Sequence, residues 1–143
     1  MSSYLFDAMV HVQAQITIPE KWKRQWKEAT TGAKQLILTE PLIAETFYQL
    51  IRKEGEKAAQ KRIFWLKGLR SCRIVPLDDH HALEAGRLFL RFRHLGISLA
   101  DAFLLSVARN ERAEIFTSDH GIRDACRSLD IEVSYLPLKD ILA

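Results

Sequence analysis

Four acidic residues stand in apolar company, whereas most acids of this chain stand among lysines and arginines. Asp7 follows Tyr4-Leu5-Phe6 and precedes Ala8-Met9-Val10. Glu45 lies within Leu42-Ile43-Ala44-Glu45-Thr46-Phe47-Tyr48, and Asp101 within the apolar stretch from Ile97 to Leu105. Asp119 follows Ile115-Phe116-Thr117-Ser118. Carboxylates are almost never fully buried unless they are paired or bind a metal. Each also has an ordinary structural use. Asp101 lies three residues after Ser98, the spacing of a capping box. Asp119 suits a helix N-cap, Glu45 the positive end of a helix dipole, and Asp7 a turn. If all four converge, repulsion opposes their simultaneous ionisation, so protons are retained or cations neutralise the group. An all-oxygen carboxylate set suits Mg²⁺ or Mn²⁺. Such ions lower the pKa of water and stabilise the leaving oxygen of a phosphodiester. The chemistry implied is metal-dependent phosphoester hydrolysis without a side-chain nucleophile.

The elements that would position these acids alternate along the chain. Short apolar runs at Tyr4-Phe6, Gln35-Leu38, Arg73-Val75, Glu114-Thr117 and Glu132-Tyr135 read as strands. Between them the spacing predicts helix from His11 to about Lys34, punctuated by Pro19 and stopped at Thr31-Gly32. Further helices follow: Leu42 to about Lys53 with Pro41 in its first turn, a basic helix after Gly55 ending near Ser71, Asp79 to His94, Ser98 to Arg112, and His120 to Leu129. Leu83, Leu88, Leu90 and Phe92 are among the apolar residues of the Asp79–His94 helix. Strands alternating with helices predict an α/β fold around a mainly parallel sheet, the helices being the crossovers that parallel pairing needs. In such sheets ligands bind beyond the carboxyl ends of the strands. Asp7 and Asp119 fall at two of those ends, and Glu45 and Asp101 are expected in the first turns of the helices that follow.

A length of 143 residues fits one domain, residues 1–143, with no repeat and no linker. With 48% hydrophobic and 27% charged residues the composition is that of a globular protein. That excludes a disordered tail and a fibre. No apolar stretch approaches the ~18 residues of a membrane span. Asp7 interrupts the place where a secretion signal would need its apolar run, so the expectation is a cytoplasmic protein with Cys72 and Cys126 reduced. The net charge of +3 is small, but residues 52–73 carry eight basic against two acidic residues. That segment reads either as a solvated helix face or as a footprint for phosphate. Lys61, Arg62 and Lys67 are its candidate RNA contacts, and Trp65 among them is a candidate for stacking on a base. Trp22 and Trp26, four apart, are expected to share a helix face, packed in the core or else lining a dimer or partner groove.

Other chemistries lack their residues. The Asp-x-Asp of a dehalogenase-like phosphatase fails at Met9, and the pair Asp78-Asp79 is misplaced for a phosphoacceptor domain. No P-loop pattern and no nucleophile elbow occurs. Zinc is disfavoured by isolated cysteines and by His80 and His81 pointing about 100° apart on a helix.

The four acids and their contexts, Leu5-Phe6-Asp7, Leu38 to Glu45, Ile97 to Ala102 and Ile115 to Asp119, resemble the PIN-domain nucleases, in particular the small VapC-like toxins. The resemblance covers nearly the whole chain. It implies a three-layer α/β/α sandwich and a Mg²⁺- or Mn²⁺-dependent endoribonuclease. It also implies Asp7, Glu45, Asp101 and Asp119 as the catalytic and metal-binding quartet, and Thr117 as a hydroxyl supporting it. A homodimer held by an antitoxin protein is implied as well. Ala8 and Met9 depart from the family, which places hydroxyl or amide side chains there to orient the first acid. That departure keeps a second reading open, a catalytically weak or silent module that binds RNA or a protein partner. His11 and His120 are expected at the surface or rim.

Overall fold

The computed structural model describes residues 2–14 and 16–142. The chain opens with β1 (Ser3–Phe6), α1 (Ala8–Ala14), a 3-10 turn (Glu20–Trp22), α2 (Lys23–Thr31) and β2 (Gln35–Leu38). The helical hairpin α3 (Glu40–Glu54) and α4 (Glu56–Lys67) leads to β3 (Cys72–Ile74). After α5 (Asp79–Phe92) come a 3-10 turn (Arg93–Leu95), α6 (Leu99–Glu111), β4 (Ala113–Thr117), α7 (His120–Ser128), β5 (Val133–Tyr135) and α8 (Leu138–Leu142).

The five strands form one parallel sheet in the order β3-β2-β1-β4-β5. The chain winds outward from β1 to β3 and then crosses back to β4. Right-handed crossovers put the helices of these two legs on opposite faces. In agreement, α1, α3 and α4 pack on one another, as do α5, α6 and α7. Central strands covered on both faces read as unbroken apolar runs. Leu5, Phe6, Leu36, Ile37, Leu38, Ile115 and Phe116 are accordingly fully buried. The edge strands β3 and β5 have three residues each and stay partly exposed.

The elements differ from the sequence expectation at their boundaries. The single helical region expected from His11 to Lys34 is α1, a loop with a 3-10 turn, and α2, and α1 already starts at Ala8. Asp7 causes that early start, because its Oδ1 accepts the Val10 amide at 3.1 Å and its carbonyl accepts the His11 amide. Trp22 sits in the 3-10 turn with its indole N–H donating to Ser134 Oγ at 2.8 Å, while Trp26 is half-buried on α2. The basic helix stops at Lys67, and Ser71 instead ties the following turn to the carbonyl of Ala29. Helix α8 was not expected. Leu83 and Leu90 face solvent on α5, 64% and 72% exposed, while Leu88 and Phe92 face the core. Both cysteines are free thiols, Cys126 buried and Cys72 partly so. Among the described residues no helix is long and apolar enough to cross a membrane.

Candidate active site

The sheet changes direction between β1 and β4, and a crevice opens at the carboxyl ends of strands at such a point. Phe6 pairs with Phe116, which brings the next residue, Asp7, beside Thr117. The Asp7 amide donates to the Phe116 carbonyl at 3.0 Å. The Thr117 hydroxyl donates to Asp7 Oδ2, and Thr117 Oγ1 in turn accepts the Asp119 amide at 3.0 Å. Thr117, fully buried, therefore links the first and last acids of the expected quartet. It also answers the departure at Ala8 and Met9, since the polar partner orienting Asp7 comes from β4 instead of α1.

Asp101 and Asp119 serve their helices as the sequence suggested. Ser98 and Asp101 form a complete capping box on α6, with Asp101 Oδ2 accepting the Ser98 amide at 2.9 Å. Asp119 caps α7 through Oδ1, which accepts the amides of Gly121 at 2.7 Å and Ile122 at 3.1 Å. The capping duties use Oδ2 of Asp101 and Oδ1 of Asp119. Glu45 lies in the second turn of α3, not the first, because α3 begins at Glu40 under the cap of Thr39. Its carboxylate makes no hydrogen bond among the described residues.

Asp7, Glu45 and Asp101 line one small pocket with Ala8, Thr39, Pro41, Leu42, Ala100 and Leu104. Burial pushes the Asp7 carboxyl up to about 6, against hydrogen bonds from Thr117, Val10 and Ser118 that pull it down; the Asp101 charge adds to the rise. Burial and then the Asp101 charge raise Glu45. Burial raises Asp101 too; hydrogen bonds from Ser98 oppose the shift and the Asp119 charge adds to it. The acids thus repel one another through Asp101, and no ion pair relieves any of them among the described residues.

An oxygen-only donor set with uncompensated negative charge fits a hard divalent cation. Among the described residues no three acidic, histidine or cysteine side chains are placed to share one ion. Any ion held here would therefore take no more than two of these carboxylates directly and the rest of its shell from water.

Two further residues bear on the site. Thr39, buried at the pocket wall, donates no charge but fixes the start of α3 by accepting the Leu42 amide at 3.2 Å. A threonine between a strand and Glu-Pro is an N-cap signal that sequence reading could have used. His11 is not at the surface, contrary to expectation. It is fully buried, with neither ring nitrogen hydrogen-bonded, edge-on to Phe6 and Trp26 at 5.7 and 5.9 Å. Apolar packing against two aromatic rings displaced it from the rim. His120 is exposed.

The expected basic contacts separate onto two surfaces. Lys61 and Arg62 line a cleft with Ala14, Trp26 and Trp65, and Arg62 is ion-paired with Glu54. Lys67 lines a larger groove of about 740 Å³ between α3 and α4, walled by Ile43, Phe47, Ile63 and Phe64.

Fold and pocket define the class: a parallel-sheet α/β protein that gathers acidic side chains where its strand order reverses. The PIN-domain family model matches residues 4–128, and the chain belongs to that family. Its fold is similar to VapBC2 from Rickettsia felis bound to a DNA fragment from their promoter, at 14% identity over 93% of this chain and 98% of that one, TM-score 0.72. It is also similar to VapC20 from Mycobacterium tuberculosis, a sarcin-ricin loop cleaving toxin, at 16% identity over 87% and 95% of the two chains, TM-score 0.70. VapBC-1 from nontypeable Haemophilus influenzae gives 12% identity over 93% and 97%, TM-score 0.67. At such identities the likeness establishes the shared fold. No curated protein matches the chain.

Proposed function

We propose that this chain is a divalent-metal-dependent endoribonuclease and the toxin of a toxin–antitoxin pair, acting as one PIN-like unit over residues 1–143 in the cytoplasm. One observation carries the reading: Asp7, Glu45 and Asp101 line one pocket, the Asp101 charge repels Asp7 and Glu45 and is itself repelled by Asp119, and none has a cationic partner among the described residues. In this reading Asp7, Glu45, Asp101 and Asp119 supply the negative field and the direct or water-mediated contacts for Mg²⁺ or Mn²⁺, which when bound would neutralise the scissile phosphate and acidify water. Thr117 holds Asp7 in place. The capping duties of Asp101 and Asp119 fix the direction of their second oxygens. Glu45, with no hydrogen bond of its own among the described residues, is the group free to take a proton from the attacking water.

Partners belong to the same proposal. Solved structures with this fold are described as VapBC toxin–antitoxin systems. The α3–α4 groove, with Phe64 82% exposed on its wall, offers an apolar seat for an antitoxin segment. Leu83 and Leu90, two turns apart on the same stripe of α5, offer one for a second copy.

Asp101→Asn tests the reading, because the amide oxygen can still accept the Ser98 N–H of the capping box. Purified wild type, freed of any antitoxin, is expected to cut structured RNA with Mg²⁺ or Mn²⁺ and to stop on chelation. The variant is expected to retain the circular dichroism spectrum and lose at least a hundredfold in rate, a rough figure for removal of one electrostatic group from such a site. Equal cutting by both proteins would trace the activity to a contaminant. A well-folded wild type that binds RNA and never cuts it would favour the silent module, which the absence of a ready three-ligand group also supports.

A further inference from the structure

The cleft between the end of α1, α2 and α4 belongs to neither the acidic pocket nor the α3–α4 groove. It measures about 410 Å³, within the range of small-ligand sites, and is lined by Ala14, Trp26, Lys61, Arg62 and Trp65. Trp26 is a rigid wall, held edge-on by Phe6 at 5.3 Å and by His11 at 5.9 Å. Trp65 is 46% exposed on α4, an unusual place to leave an indole without use. The two indoles make no ring contact with each other, and neither indole N–H is hydrogen-bonded among the described residues. Lys61 beside them has no ion pair among the described residues.

Planar π-faces beside a cation are the recurring parts of a single-stranded nucleic-acid site: bases stack on the rings while the cation meets the backbone. Position agrees with that use. Helix α1 starts at Ala8, next to Asp7, and ends at Ala14 in the cleft wall, a run of about 10 Å at the helical rise per residue. That separation is short enough for neighbouring nucleotides of one strand, passing over the outer helices since α1 itself is mostly buried, to reach both places.

We propose that this cleft is a stacking subsite for one unpaired nucleobase of the RNA strand, with Trp65 and Trp26 as its faces and Lys61 on the adjoining phosphate. The inference rests on the ribonuclease reading for its ligand and extends it by assigning a base-binding position outside the acidic pocket. The cationic rim argues for RNA over a protein segment, for which the α3–α4 groove is the more apolar seat.

The test uses the full chain, titrated in EDTA so that no strand is cut. Two probes are compared, an unstructured RNA oligomer and an abasic ribose-phosphate oligomer of the same length. Trp65→Ala is expected to weaken binding of the base-bearing oligomer about tenfold, the size of one lost aromatic–base stack. Trp65→Phe is expected to restore most of that loss. The abasic oligomer is expected to bind wild type and Trp65→Ala alike. Wild-type affinity of Trp65→Ala for the base-bearing oligomer overturns the subsite and leaves the indoles to a protein contact. An equal loss on both oligomers also overturns it, since stacking needs a base. Because no metal is present, failure of the nuclease reading leaves this result standing. A cutting enzyme whose Trp65→Ala variant binds as wild type loses the subsite alone.

Discussion

His11 and Asp7 are four residues apart and titrate in opposite senses. Burial without a hydrogen-bond partner holds the His11 imidazole down at about 3 from its ordinary 6.5. The unfolded chain therefore takes a proton on His11 from about pH 6.5 downward while the folded chain refuses it. The stability tied to a neutral His11 is complete above that pH and is lost as the pH falls toward 3. Asp7, raised to about 6 from 3.8, takes its proton sooner in the folded state. It favours folding as the pH drops from 6 to 3.8, so the two slopes oppose each other across that window. His11→Leu removes one of them. Urea unfolding of both proteins in EDTA is expected to show the variant gaining on wild type by about 1.4 kcal/mol for each pH unit below 6.5. A difference that stays constant from pH 7 to 4.5 would mean that folded His11 carries its proton and has a partner.

At the scale of elements, four helices aim their N-terminal regions at the acids: Asp7 caps α1, Glu45 is in the second turn of α3, Asp101 is in the first turn of α6, and Asp119 caps α7. Unpaired amides and helix dipoles at these ends offset part of the repulsion among the carboxylates. The placement of α7 depends on Gly121. A Cβ there would stand 2.5 Å from the Leu95 carbonyl oxygen and 3.0 Å from Asp119 Oδ1. Gly121→Ala must push α7 from the 3-10 turn before α6 and disturb the Asp119 cap, at an expected cost of roughly 1–3 kcal/mol. Gly86→Ala, in open space on α5, is the control and is expected to raise stability by up to about 1 kcal/mol. Thermal melts that rank the two substitutions the other way would refute the packing argument. The same elements show why the fold was legible and parts of the site were not. Leu5-Phe6, Leu36-Leu38 and Ile115-Phe116 announce buried parallel strands by being apolar without alternation, and Ser98 and Asp119 announce caps by residue type. The burial of His11 is set by Phe6 and Trp26, residues from two other elements that no local pattern brings to it. The placement of Asp101 and Asp119 near Asp7 depends on the crossover from β3 back to β4, which spacing along the chain does not encode.

For the whole molecule, charge counts by location more than by sum. The net charge of +3 would draw a polyanion weakly, and part of the basic segment is already spent: Arg62 on Glu54 and Arg73 on Glu111. Lys61 and Lys67 are six residues apart on α4 but open onto different surfaces, one onto the indole cleft and the other onto the apolar α3–α4 groove. If RNA reaches from the acidic pocket to the cleft, Lys61 lies on its path and Lys67 does not. Each phosphate neutralised on a single strand contributes about 0.7 to the slope of log K against log salt. Binding of an unstructured RNA oligomer, followed across a salt series in EDTA, is expected to lose about that much slope in Lys61→Ala. Lys67→Ala is expected to keep the wild-type slope, because a protein segment, and not a phosphate backbone, is assigned to its groove. Equal flattening by both substitutions would place RNA over the groove as well. The two surfaces would then be one nucleic-acid path, and the antitoxin would have to dock elsewhere.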